Sequence, residues 1–246
     1  MFFAESLVPT IKVPNFEKAL FIFPHPDDEI LGCGGLIGAL SASSCQVALC
    51  VLTKGEAGGP LGGKDEVLAN IRVKEMQKSA KILGASMLIQ EDFGDGELNV
   101  KKEALNNYLS TLLTAENPDL VVTYDLSGLY GHEDHIAVSQ IITTLIASKS
   151  TKTKLWYLSF PPEKLKSIKL PEHMAKDAKF KERRSTPTHK IFVGKHTLNK
   201  IRALYAHKSQ LYSFRSAFPH KFIPLGFYVL LMGANEYFSE AAPSQL

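Results

Sequence analysis

Two short runs of this chain carry residue types that can do hydrolytic chemistry. The first is Pro24-His25-Pro26-Asp27-Asp28-Glu29. The second, about a hundred residues downstream, is Tyr130-Gly131-His132-Glu133-Asp134-His135. His25 offers an imidazole nitrogen. The adjacent Asp27 and Asp28 point in different directions on extended backbone, so one carboxylate can bind a metal ion while its neighbour stays free beside the open coordination position. His132 and His135, three apart at a helix start, place both rings on roughly one side. Two histidines and one carboxylate around an ion with an open position form a hydrolytic zinc arrangement. Such an ion lowers the pKa of water to about 7 and polarises a carbonyl. The spare carboxylate is then a general base. The spare histidine is a donor to the oxyanion or the leaving nitrogen, and Asp134 can orient a ring.

Both runs follow strand-like segments, Ala19–Phe23 and Leu120–Thr123, and both precede helix-like ones, Leu31–Ser43 and His135–Ala147. Between them lie a buried strand at Gln46–Thr53, a helix at Glu66–Leu83 closed by Gly84, a short strand at Met87–Gln90 and a helix at Val100–Ala115. Regular structure resumes with a strand at Lys190–Val193 and a helix at Thr197–Tyr212. This β-α-β-α order predicts an α/β fold of three layers, a Rossmann-like and mainly parallel sheet with helices on both faces. In such sheets the loops at the strands' carboxyl ends hold ligands and metals. Gly32-Cys33-Gly34-Gly35 lacks the spacing of a dinucleotide fingerprint, and the acidic residues ahead of it would repel a pyrophosphate.

At 246 residues and 45% apolar composition, the chain suits a single domain over residues 1–246. Its net charge of +3 is mild. The lysines and arginines of Lys164–Arg184, within a proline- and lysine-rich stretch over 159–188, read as a solvated insertion. They lack the basic stripe with interleaved aromatics of a nucleic-acid footprint. Three cysteines without a Cys-x-x-Cys pair argue against a disulfide framework; Cys45 and Cys50 read as core, and Cys33 as a small residue packed in the turn. Met1–Asn15 shows no secretory signal and no segment reaches the roughly 20 apolar residues of a membrane span, so a soluble cytoplasmic protein is expected. Phe222–Met232 reads as a late core strand, with a subunit contact as the alternative, Trp156 as core, and His173, His189, His196 and His220 as solvated. Composition does not set the oligomeric state.

The two runs together resemble the PIG-L / LmbE-like zinc-dependent N-acetylglucosaminyl deacetylases. Weaker matches are Arg72 with Glu75, the stretch Asp92–Leu98, and Ala206-His207-Lys208-Ser209-Gln210, so the resemblance covers about residues 18 to 212. It implies His25, Asp28 and His135 as metal ligands, Asp27 as general base, and His132 as the group that aids the oxyanion and the leaving nitrogen. It also implies a hydroxyl contribution from Tyr130, and substrate contacts from Arg72 and Asp95. Zinc is the implied ion, with iron(II) accepted by the same donors. The implied reaction is removal of acetyl from an N-acetylated amino sugar or conjugate, a small-molecule substrate. Hydrolysis of another amide or a phosphoester, or metal binding without turnover, is the alternative. Where the family often has proline, this chain has Glu133. Bland readings stand beside the weaker matches: Arg72 paired with Glu75 on a helix surface, Asp95-Gly96 as a turn, Tyr130 packed beneath its loop, and His207 and Gln210 hydrogen-bonded to the core.

Overall fold

Alternate residues of the strand Lys18–Phe23 enter two different cores. Ala19, Phe21 and Phe23 pack with one set of helices, and Leu20 and Ile22 with another. That is the signature of a strand covered on both faces, and it explains the unbroken apolar run. The computed structural model describes residues 7–59, 62–148, 152–162, 164, 178–218 and 222–241. In chain order its elements are β1 (Thr10–Ile11), β2 (Lys18–Phe23), α1 (Asp28–Ala42), β3 (Gln46–Val51), α2 (Glu66–Leu83), β4 (Met87–Gln90), α3 (Lys102–Glu116), β5 (Leu120–Tyr124), the short α4 (Gly128–Gly131) and α5 (Glu133–Ser148). They continue with β6 (Lys154–Leu158), β7 (His189–Phe192), α6 (His196–Leu204), α7 (Leu211–Ala217), α8 (Leu225–Met232) and β8 (Asn235–Glu240).

The strands form one sheet in the order β1-β7-β8-β6-β5-β2-β3-β4. β2 pairs in parallel with both β3 and β5, and among the described residues only β8 runs against its neighbours, β6 and β7. The mainly parallel α/β sheet expected from the sequence is therefore present. Helices α1, α2 and α6 cover one face; α3 and α5 cover the other. The chain leaves β2 toward β3 and β4, then returns to place β5 on the opposite flank of β2. The strand order reverses between β2 and β5, and the crevice at such a reversal is the ligand position of open α/β sheets.

The glycines of α1 serve packing. A Cβ on Gly32 would meet Leu158 at 2.6 Å and one on Gly35 would meet Val193 at 2.4 Å. The helix lies that close to its neighbours because those positions carry no side chain.

Several expectations require correction. Helix α1 begins at Asp28, three residues before the expected Leu31, so Asp28 and Glu29 occupy its first turn, where the helix dipole favours carboxylates. The helix expected over Thr197–Tyr212 is broken: α6 ends at Leu204, a 3-10 turn covers Lys208–Gln210, and α7 follows. The break turns His207 inward. Phe222–Met232 holds a helix rather than a core strand. Leu225 and Val229, four apart, face a small cluster with Ile30 and Leu204, while Phe227, Leu230, Leu231 and Met232 are exposed. His189 is buried against Trp156, with ring centroids 4.5 Å apart, because it lies on an inward position of β7. His196 is half-buried, its ring over Gly38. Trp156 is core and the three cysteines are free and buried, as expected. His173, His220 and most of the Lys164–Arg184 stretch lie outside the described residues. Among the described residues, no helix is long and apolar enough to cross a membrane.

Candidate metal centre

β2 delivers His25 and β5 delivers the loop that ends in His132 and His135, and the parallel pairing of these two strands brings the runs together. His25 Nδ1 lies 3.2 Å from His135 Nε2 and 3.5 Å from Asp28 Oδ2. Asp28 Oδ1 lies 3.6 Å from His135 Nε2. A tetrahedral ion with bonds of about 2.1 Å separates its ligand atoms by roughly 3.4 Å. Two ring nitrogens and a carboxylate, buried and spaced in this way, are a donor set that fits a divalent cation.

The far side of His25 is fixed by carboxylates. Its Nε2 lies 3.1 Å from Asp95 Oδ1 and 3.2 Å from Asp134 Oδ2. Those carboxylates are themselves held: Asp134 accepts the Gly96 and Leu98 N–H groups at 2.7 and 3.0 Å, and Asp95 accepts the Ala57 N–H at 3.0 Å. An Nε2–H held by carboxylates leaves Nδ1 as the donor atom toward the cluster and fixes the ring's tautomer. Burial opposes a charge on His25, yet Asp134, Asp28 and Asp95 hold its pKa well above 6.5. Burial likewise opposes the Asp28 anion, and His135 and His25 bring its pKa below the usual carboxylate range. His135, wholly buried, is lowered to about 3.

Asp27 stands next to this set. Arg72 Nη2 donates to its Oδ2 at 3.1 Å and to the Pro26 carbonyl at 2.5 Å, and Arg72 Nη1 donates to the Gly55 carbonyl at 2.9 Å. Burial raises the Asp27 pKa to about 7 against the pull of Arg72. His132 packs on both neighbouring rings, with centroids 4.7 Å from His25 and from His135. Its Nδ1 accepts the Asp134 N–H at 3.2 Å, which places the proton of the neutral ring on Nε2. Burial lowers its pKa to about 4, so the ring is a neutral donor near pH 7. Tyr130 is half-buried and meets His135 edge-on at 5.3 Å.

The structure thus brings His25, Asp27, Asp28, Tyr130, His132, Asp134 and His135 into one cluster, with Arg72 and Asp95 against it. Arg72 is buried and faces Asp27 rather than Glu75. Glu75 instead accepts the Ser209 N–H and Oγ at 2.9 and 2.6 Å. Asp95, in a turn, reaches His25. Sequence reasoning missed Tyr124, the last residue of β5, whose hydroxyl donates to Asp28 Oδ1 at 2.8 Å. It also missed Asp125 and Glu29. Only Glu29, inside the first run, carried a signal that could have found it.

A family model for GlcNAc-PI de-N-acetylase, PIG-L, matches residues 20–146, more than half of the chain and both runs. The chain belongs to the PIG-L family. It is 38% identical over 125 residues to the diacetylchitobiose deacetylase of Thermococcus kodakarensis, covering 49% of this chain and 46% of that protein. It is 28% identical over 160 residues to the 1D-myo-inositol 2-acetamido-2-deoxy-alpha-D-glucopyranoside deacetylase of Rhodococcus opacus, covering 55% of each. In these alignments the chain spans about half the length of the curated relatives. Among solved structures it matches the N,N'-diacetylchitobiose deacetylase of Pyrococcus horikoshii with a TM-score of 0.63 at 22% identity, over 93% of this chain and 85% of that one. It matches GalB, the 4-carboxy-2-hydroxymuconate hydratase of Pseudomonas putida, with the same TM-score at 15% identity, over 92% and 97%. Both likenesses are of fold. A hydratase and a deacetylase share it, so the reaction must be argued from the site.

Proposed function

We propose that the whole chain is one domain of a metal-dependent hydrolase that removes acetyl from the nitrogen of an N-acetylated amino sugar or its conjugate. One observation carries this reading: the donor set His25–Asp28–His135 stands beside a second carboxylate, Asp27, which Arg72 steers separately. A hydrolase needs a Lewis acid and a base next to each other, and this arrangement supplies places for both. The names of the two curated relatives, both deacetylases of acetylated sugars, supply the bond to be cut.

His25, Asp28 and His135 would hold zinc, the ion we favour over iron(II). When bound, the ion supplies Lewis acidity toward the acetyl carbonyl and toward water. Asp27 takes a proton from the attacking water and returns it to the nitrogen as the C–N bond breaks. His132 donates its Nε2–H to the carbonyl oxygen as negative charge develops there, and Tyr130 is assigned a second donor role. Arg72 holds Asp27 in place, and Asp95 and Asp134 hold the His25 ring. A preorganised donor of the His132 kind is worth roughly 100-fold or more in rate.

The test pairs metal content with acetate release from a panel of N-acetylglucosamine conjugates, with and without chelator. About one ion per chain and chelator-sensitive acetate release are expected. Bound metal with no acetate from any conjugate sinks the substrate class. A metal-free chain under metal-replete conditions sinks the site.

A further inference from the structure

Asp27 has a backbone that aspartate rarely adopts, with φ 101° and ψ −16°. Such a conformation in a residue other than glycine persists only where the surroundings over-determine it. Arg72 grips one side, through the Pro26 carbonyl and Asp27 Oδ2. On the other side the Asp27 N–H donates to Glu29 Oε2 at 2.9 Å. Glu29 is wholly buried, and its second oxygen accepts Ser79 Oγ at 2.6 Å and His207 Nε2 at 2.9 Å. His207 is equally buried, 178 residues away in sequence, at the break between α6 and α7. Its Nδ1 has no partner among the described residues, so Glu29 sets the ring's orientation and the ring in turn fixes Glu29.

We infer that His207 is a positioning residue for Asp27. By donating to Glu29 Oε1, together with Ser79, it aims the opposite oxygen of that carboxylate at the Asp27 amide. The left-handed turn at Asp27 then holds, and the Asp27 carboxylate stays where Arg72 meets it. A buried carboxylate with three donors on two oxygens has no freedom to rotate, whereas one that loses a donor can relax toward the remaining two. The inference rests on the reading of Asp27 as general base given above.

The experiment compares His207→Leu and His207→Gln with the wild-type full chain. His207→Leu is expected to keep wild-type metal content and a KM within about twofold while kcat falls roughly 10- to 100-fold, the effect of a small misplacement of a reacting group. The amide N–H of His207→Gln can still donate to Glu29, so most of kcat returns. In NMR, the Asp27 backbone resonances, which report φ without any substrate, shift in His207→Leu and return toward wild type in His207→Gln. A folded, metal-loaded His207→Leu with wild-type kcat and unmoved Asp27 resonances overturns the inference. Lower stability with full kcat per folded molecule overturns it equally. Should His207→Leu fail to fold, Ser79→Ala removes a donor from the same Glu29 oxygen and is judged by the same readouts. If the wild type itself releases no acetate, the deacetylase reading falls while the Asp27 resonances still decide this one.

Discussion

Tyr124 grips Asp28 by its hydroxyl, at 2.8 Å, while its ring lies flat on His135, with centroids 4.1 Å apart and planes 6° apart. One residue at the end of β5 thus touches two of the three donors, and the two contacts are separable by mutation. Tyr124→Phe keeps the stacked ring and removes the hydrogen bond. Metal affinity should fall about 10- to 100-fold, the usual cost of losing a partner that orients a ligand. Competition against a chelator of known affinity measures it, and an unchanged dissociation constant would mean that Asp28 needs no such support.

Asp27 and Asp28 are neighbours to which we assign different work, and Asp27→Asn separates the two assignments. The variant keeps the size of the side chain and its contact with Arg72 but cannot take a proton. Metal content should match the wild type, and turnover should fall by at least about 100-fold. Loss of the ion in this variant would refute the role assigned to Asp27.

Asp125 clamps two segments. It accepts the Ser127 N–H and Oγ, and across the chain the Ser185 N–H and Oγ at 2.8 and 3.1 Å. Arg184 Nη2 adds a bond to the Leu129 carbonyl at 3.2 Å. The loop so held contains Leu129, at φ 66°, and leads directly to His132. Asp125→Ala strands several donors in a buried place, which should destabilise the fold by about 3 kcal/mol. Urea unfolding reads this directly; a loss below about 0.5 kcal/mol would show that the clamp is dispensable.

His207 gives a pH dependence with a definite sign. Burial opposes its charge, and the Glu29 carboxylate beside it more than offsets this, so its pKa lies above 6.5. A histidine raised in the folded state stabilises the protein when protonated. That contribution is complete below about pH 6.5 and is lost as pH rises through the folded value. The Tm difference between wild type and His207→Gln should therefore be largest near pH 6 and narrow toward about pH 9. A difference that widens with pH would show that the histidine is neutral in the folded chain.

The parts of the fold legible in the sequence were those with local causes. Helix α2 matches its expected span because both ends are marked: the Asp65 side chain accepts the Val67 and Leu68 N–H groups, and Gly84 closes it at φ 85°. The residues that cluster between β2 and β5, among them His25, Asp28 and His135, were legible because each run is contiguous. Strand β8 was missed because Asn235–Glu240 carries Glu236 inside the core, paired with Lys200 at 2.8 Å; a polar residue at a buried position breaks the apolar run that marks a central strand. Tyr124 lies one residue beyond the strand expected over Leu120–Thr123, and nothing local shows that its hydroxyl points at Asp28. The His207–Glu29 pair was illegible for a related reason: the partners meet only after α6 is broken, and no local propensity predicts that break.

The crossing from β2 out to β4 and back to β5 has a kinetic consequence. His25 and His135 are 110 residues apart in sequence and become neighbours only when two parallel strands pair, the slow kind of contact in folding. Neither half of the cluster presents the full donor set alone, so a metal ion would meet a sheet already assembled. Such an ion would slow unfolding without speeding folding, and its loss would show as a shorter lifetime of the native state.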